Sequence, residues 1–482
     1  MFSVVHGFSA PTSVRKRGAA RLAAAAAVTG LVAGGAIAGA GTAVADAPGQ
    51  QHQGGAVATI KGLDPDASDK AVIHQRGGDR PVSAGLFQMV VDGGGTLRTY
   101  CIDVHNPTQP SARYQETPWS GTSLSGNPDA GKIRWILEHS YPQVNDLTAL
   151  AKSAGLKGQL SNGTAAAATQ VAIWRYSDHV QVDAVDPQAK LLANWLTKSA
   201  QTVEEPKASL TLDNPAVSGK AGSKLGPVTV RTNADKVSVT PSEELKAAGV
   251  KVVNKAGQPA TTAKNGSQLF FDVPAGAQPG SGSVTVQATT QVPVGRAFAS
   301  ESKSQTQILA GSSDSTVSAT AKATWAKQGA IPALTAAKNC AKGGVDITAT
   351  NKGDEAFTFK LAGFSYTIAA GQSKTVTVPV AEDQAYDFVI TGPNGFKQEF
   401  KGVLDCKTAG TPSTKPSSQP SPATAGGTSS GSTSGTTGGG DLAETGSSSS
   451  TPMIAGVAVA LVAIGGGAVF FLRRKKAGTA GH

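Results

Sequence analysis

Tyr100-Cys101-Ile102-Asp103 and Thr169-Gln170-Val171-Ala172-Ile173-Trp174 are the two segments whose residue types could do unusual chemistry together. A thiol can attack a side-chain carboxamide; ammonia leaves and a thioester remains. That exchange is uphill in water, so a fold must drive it by holding the two groups in attack geometry. The fold must also exclude water to keep the product. An amine that enters then takes the acyl group, leaving an amide bond and a free thiol, once per molecule. Residue types alone leave plainer readings open. Free cysteines are commonly buried and inert, and a glutamine in a helical pattern can simply face solvent. A Cys–His nucleophile pair is a third reading, with His105 four residues after Cys101 and His74, His139, His179 and Asp103 as further groups. The flanks of a papain-type cysteine are absent, and no base is specified.

The elements that must position the pair lie in residues 48–205, which hold Trp119, Trp135, Trp174 and Trp195 and mix both periodicities. Val82–Val91 and Leu97–Val104 read as strands joined through Asp92-Gly93-Gly94-Gly95, a turn signal. Cys101 falls on the second strand. Asn127-Pro128-Asp129 opens a helix that Tyr141-Pro142 ends, and Asp146 opens a shorter one. Thr164–Tyr176 and Pro187–Ala200 read as two more helices. Gln170 lies in the first of these, with Ala167, Val171 and Trp174 at helical spacing. This is an α+β domain.

Residues 206–325 and 331–407 change to short alternating strands split by Gly, Pro, Asn and Ser, the pattern of two all-β, Ig-like sandwiches. Strands are expected at Lys207–Asp213, Pro227–Thr232, Lys236–Thr240, Val250–Asn254, Gln268–Val273, Ser283–Val292 and Ser304–Leu309 in the first of them. Cys340 and Cys406 bracket the second. In an oxidising compartment they are expected to pair, although two free thiols remain the alternative. Closing that loop would stabilise the fold by about 4 kcal/mol in the chain-entropy model. Cys101 is then the odd cysteine of three.

The two ends read as export signals. Residues 1–45 carry Arg15, Lys16, Arg17 and Arg21, then an Ala/Gly/Val run closing on Ala43-Val44-Ala45, the pattern of a cleaved signal peptide. Residues 408–441 are Pro, Ser, Thr and Gly and cannot bury a core, so a disordered spacer is expected. Residues 442–482 open with Leu442-Ala443-Glu444-Thr445-Gly446; an uncharged stretch over 453–472 is long enough for a transmembrane helix. Arg473, Arg474, Lys475 and Lys476 follow, which keeps that end cytoplasmic. Pentapeptide, apolar span and basic tail, together with the leader, resemble the cell-wall sorting signal of Gram-positive surface proteins. The Leu-Ala-x-Thr-Gly form resembles substrates of class E sortases in high-GC Gram-positive bacteria. Such an enzyme would cut between Thr445 and Gly446 and join Thr445 to peptidoglycan.

This processing changes the charge argument. The formal charge is +10, but four basic residues lie in the leader and four in the tail, neither with acids, so residues 46–446 carry +2. A nucleic-acid partner is therefore excluded as the reason for the pI near 9.4. The histidines have no metal-ligand spacing, and neither a metal nor a cofactor is expected.

The Tyr-Cys-Ile-Asp and Thr-Gln-x-Ala-Ile-Trp segments together resemble the thioester domains of Gram-positive surface adhesins, sometimes called TQxA proteins. The resemblance covers about residues 55–205, including the Lys132–Leu137 helix between the motifs. It implies a Cys101–Gln170 thioester that bonds covalently to amines on a target surface or protein, in a secreted, wall-anchored adhesin. Tyr100 and Trp174 would shield it. Such a protein is not an enzyme but a substrate of signal peptidase and sortase. Two other classes remain beside it: a structural or non-covalent binding protein with an inert Cys101, and a secreted cysteine hydrolase.

Overall fold

In the computed structural model, residues 54–407 are described. The leader at 1–45, the spacer at 408–441 and the sorting segment at 442–482, with its apolar span at 453–472, lie outside the described residues. Among the described residues no helix is long and apolar enough to cross a membrane.

The first domain is built from β1 (Val57–Ile73), β2 (Arg80–Val91), β3 (Thr96–Cys101), β4 (Arg113–Thr117) and β5 (Val182–Ala184), with helices α1 (Ala130–Glu138), α2 (Leu147–Ser153), α3 (Asn162–Ser177) and α4 (Pro187–Ser199). The β2–β3 hairpin turns through Gly93, Gly94 and Gly95, all at positive φ (81°, 118° and 106°). An L side chain is strained there, which is why three glycines in a row mark the turn. Asp146 caps α2 as expected, accepting from Ala149 N–H, and two further caps are found, Ser161 accepting from Thr164 N–H and Asp186 from Ala189 N–H. α3 therefore starts at Asn162, two residues before the expected Thr164, and Asp129 makes no side-chain cap bond at α1.

The middle region contains β6 (Leu210–Asp213), β7 (Ala216–Lys220), β8 (Lys224–Thr232), β9 (Val237–Pro241), α5 (Glu243–Ala247), β10 (Lys251–Asn254), β11 (Thr262–Ala263), β12 (Gln268–Asp272), β13 (Gly280–Gln291), β14 (Ala297–Ser300), β15 (Gln307–Ser312) and β16 (Asp314–Ala326). Its two sheets are β10-β12-β8-β6 and β11-β9-β13-β16-β7. The last region is all β: β17 (Pro332–Asn339), β18 (Gly344–Asn351), β19 (Phe357–Leu361), β20 (Phe364–Ile368), β21 (Ser373–Pro379), β22 (Gln384–Thr391) and β23 (Lys397–Leu404). Cys340 and Cys406 form the expected disulfide there.

One strand falls elsewhere than the composition suggests. Ser304–Leu309 reads as part of the middle sandwich, but β14 and β15 leave it and enter the first sheet, whose order is β2-β3-β15-β14-β4-β1-β5. Leu309, Ile308 and Gln307 pair with Thr99, Tyr100 and Cys101. Strand propensity records that a segment is extended, not which sheet it joins. The sheet therefore has two packed faces. Helices cover one, in a core with Tyr100, Cys101, Ile102, Ile133, Ala167 and Trp174. Residues of the middle sandwich cover the other, in a core shared by Ile60, Met89 and Tyr114 with Leu210, Val228 and Phe271.

A buried polar joint locks that second face. Glu116 of β4 accepts from Arg296 Nε (2.9 Å), Ser209 N–H (2.9 Å) and Ala56 N–H (3.2 Å). The last region packs back on the first two: Thr306 Oγ1 donates to Asp405 Oδ2 (2.8 Å), Lys303 pairs with Asp383 (3.2 Å) and Lys220 with Asp354 (2.7 Å).

Candidate functional site

α3 is the element that carries Gln170 into the protein. Every residue from Thr164 to Trp174 is buried, so the helix is enclosed on all sides and not merely amphipathic. The run Ala165–Ala168 makes this possible, because small side chains let the helix lie close to its neighbours. Gly163 also lies close to its neighbour: a Cβ there would sit 2.8 Å from the Ser68 carbonyl oxygen. A solvent-facing Gln170 is thereby ruled out; it has 0% exposure.

Cys101 ends β3, an interior strand between β2 and β15, and is 1% exposed. The Gln170 carboxamide lies along its backbone. Cys101 N–H donates to Gln170 Oε1 (3.0 Å), and Gln170 Nε2 donates to the Cys101 carbonyl (2.8 Å). Both bonds go to the residue that bears the thiol. They satisfy a buried carboxamide and strand end that would otherwise be costly, and they set the plane of the amide. The Cys101 N–H already polarises the carbonyl that a thiol would attack, in the position of an oxyanion donor.

The sulfur is held as well. Asp103 N–H donates to Cys101 Sγ (3.2 Å), and the Trp174 indole N–H faces the same atom. Burial pushes the Cys101 thiol well above its ordinary value, the Asp178 and Asp103 carboxylates push it further, and the two N–H groups oppose them. Burial also raises Asp103, and raises Asp178 to about 7. The resting thiol is thus neutral.

Asp178, just past the end of α3, is a residue that sequence reasoning missed. Its Oδ1 accepts from Val104 N–H (2.9 Å) and its Oδ2 from Ser177 Oγ (2.6 Å), which pins the turn after Cys101 to the helix of Gln170. Ser and Asp are ordinary caps at a helix start; at the C-terminus of α3 an acid runs against the helix dipole, and that departure is the signal that could have found Asp178. β15 is the other missed support: Thr306 C=O accepts from Ile102 N–H (3.0 Å).

Tyr100 and Trp174 are both in the shell around the pair, at 0% and 4% exposure. Tyr100 Oη donates to the Tyr141 carbonyl (2.7 Å). None of the four histidines considered as bases hydrogen-bonds the sulfur. His74 pairs with Asp79 and Asp183, His139 stacks on Trp135, the His105 backbone N–H donates to Asp103 Oδ1 (3.3 Å), and His179 sits at φ 52° just past α3. Among the described residues Glu382, Asp383 and Asp405 bring carboxylate oxygens within 4.8 Å of one another. Glu382 there accepts from Cys406 N–H (2.6 Å) and Lys407 N–H (2.8 Å).

Comparison with known proteins agrees with this geometry over one segment. Residues 98–202 match the thioester-domain family, and that span contains Cys101, Gln170 and Asp178. Residues 330–403 match the model of the C-terminal domain of bacterial phospholipase C. No curated protein sequence matches the chain. Among solved structures, the Bacillus anthracis TIE protein aligns at 14% identity over 73% of this chain and 81% of its own, with a TM-score of 0.25. The thioester domain of the Enterococcus faecium TIE86 protein aligns at 14% identity over 56% and 97%, with a TM-score of 0.26. The N-terminal thioester domain of the fibronectin-binding protein SfbI from Streptococcus pyogenes aligns at 14% identity over 45% and 98%, with a TM-score of 0.19. Likeness of this degree does not define a shared fold. The class that sequence match and site geometry define together is a thioester-type domain set into a β-rich chain.

Proposed function

We propose that this chain is a surface adhesin that carries an internal Cys101–Gln170 thioester and spends it once on an amine of a target surface or protein. The observation that supports this most is the buried Gln170 carboxamide clasped by the backbone of Cys101. The thiol sulfur bonds to the Gln170 carbonyl carbon, the C–N bond breaks, and the thiol proton leaves with nitrogen as ammonia. Burial keeps water from the product, with Tyr100 and Trp174 as shields. A target amine later bonds to the same carbon and the C–S bond breaks, restoring the thiol.

The reading places residues 48–205, completed by β14 and β15, as the reactive domain, and the rest of 206–325 with 331–407 as the β domains that carry it. Signal peptidase would remove 1–45. A sortase of the class E type would recognise Leu442, Ala443, Glu444, Thr445 and Gly446 while 453–472 holds the chain in the membrane, and would join Thr445 to peptidoglycan. Secretion and wall attachment give a single-use bond its setting: one event per molecule serves attachment, not turnover. The test is methylamine. The reading expects uptake of one methylamine, with a new thiol at Cys101, and no uptake by Gln170→Ala. Steady hydrolysis of a peptide or ester would instead favour a cysteine hydrolase, and an unreactive protein would favour non-covalent binding.

A further inference from the structure

Trp174 lies four residues after Gln170, one turn further along α3, so the two side chains share a stripe of the helix. Its indole is 4% exposed, and its Nε1–H makes no hydrogen bond of normal geometry, although it interacts electrostatically with the Cys101 thiol. Buried donors without partners are rare in native proteins. This one faces Cys101 Sγ, which already accepts from Asp103 N–H at 3.2 Å. A neutral thiol is a weak acceptor. A thiolate is a strong one, and bonds to charged groups are about twice as strong as neutral ones.

We propose that the Trp174 indole N–H is a catalytic donor to the Cys101 sulfur at the step that releases it, so that it sets the rate of amine capture and does not merely shield the bond. The inference rests on the thioester reading above. In that step the amine lone pair bonds to the Gln170 carbonyl carbon, the C–S bond breaks and its electron pair stays on sulfur. The proton lost by the ammonium nitrogen ends on sulfur to give the thiol. Negative charge therefore appears on sulfur between two N–H groups, one from the Asp103 backbone and one from Trp174. The carboxylates of Asp103, on the turn after β3, and Asp178, past the end of α3, oppose that charge. Asp405 reaches Asp103 from the last region, and His105 lies beside Asp103. These groups are the reason a dedicated donor is needed.

Trp174→Phe keeps an aromatic ring and removes the donor. In the full chain it is expected to carry the thioester, seen as a mass lower by one ammonia, but to take up methylamine roughly tenfold or more slowly, the size of one hydrogen bond to a charged atom. Uptake at the wild-type rate would overturn the proposal. A second comparison does not need the thioester. In a Gln170→Ala background, adding Trp174→Phe should move the pH profile of Cys101 alkylation to higher pH. An unchanged profile would overturn the proposal even if Trp174→Phe alone forms no thioester. A wild-type chain at full mass that ignores methylamine would instead sink the thioester reading, while the alkylation comparison would still report on the Trp174 contact.

Discussion

In the C-terminal sandwich, Cys340 and Cys406 sit with their Cα atoms 5.2 Å apart and are joined across 66 residues. In the first domain, Cys101 is at least as well buried, yet its neighbours are a carboxamide, two N–H donors and two carboxylates. Cys406 is nearly as buried as Cys101 while Cys340 is only partly buried, so burial alone does not decide the outcome; what the backbone presents to each sulfur does. The β region brings two strand ends together, so thiol meets thiol. The α+β region brings a strand end to the middle of a fully enclosed helix, so thiol meets amide. Burial first, and those carboxylates after it, hold Cys101 neutral. A neutral thiol is a poor nucleophile toward a disulfide and an amide alike, so the acyl step depends on the fixed proximity of the Gln170 carboxamide.

Breaking the acyl half should give the largest effect. Cys101→Ala is expected to abolish uptake of a labelled amine while leaving the far-ultraviolet circular dichroism unchanged; retained label in that variant would place the chemistry elsewhere. Next comes the joint on which the site's sheet depends. Glu116→Ala removes the 2.9 Å partner of Arg296, which keeps Glu205 at 2.6 Å, and strands the Ser209 and Ala56 N–H groups. It is expected to lower the unfolding free energy by about 1.5–3 kcal/mol in urea titrations. A loss under about 1 kcal/mol would mean that the joint is not a desolvated ion pair, since exposed pairs are worth that little.

The disulfide half sharpens the contrast in the other direction. Replacing Cys340 and Cys406 together by alanine should destabilise the chain by up to about 4 kcal/mol, with amine uptake at Cys101 unchanged at temperatures where the protein is folded. A matching loss of uptake would show that the two regions are coupled and not merely packed together. The finest test is pH. Asp178 has its folded value raised from 3.8 to about 7, so between those values the folded state binds more protons than the unfolded one. Its contribution therefore falls as pH rises through that window and levels off above about 7. Asp178→Asn, whose carbonyl can still accept from Val104 N–H, should flatten that fall. Asp405, raised to about 7 as well, would leave a remainder. An Asp178→Asn curve parallel to wild type would contradict the inward-turned carboxylate.

The two halves of the comparison were not equally legible. The disulfide followed from two cysteines at the ends of one β pattern. The reactive pair was legible as residues, and α3 as a helix from Thr164, but its start two residues earlier behind the Ser161 cap and the enclosure of Gln170 were not. An alanine run reads as a good helix former and says nothing about what lies against it. β1 was missed because Asp64-Pro65-Asp66 interrupts its alternation, where the structure absorbs the irregularity as register shifts between Ile60 and Ser68. β15 was read as a strand but given to the wrong sheet, and it is the strand that pairs with Cys101. Long-range pairing of this kind leaves no local trace in either segment.

The most direct measurement of the central claim is the intact mass of residues 46–441 before and after methylamine. The account predicts a mass lower than the sequence by one ammonia, restored and exceeded when one methylamine is taken up, with both effects absent in Cys101→Ala and in Gln170→Ala. A wild-type protein at its full sequence mass that takes up no methylamine would contradict it.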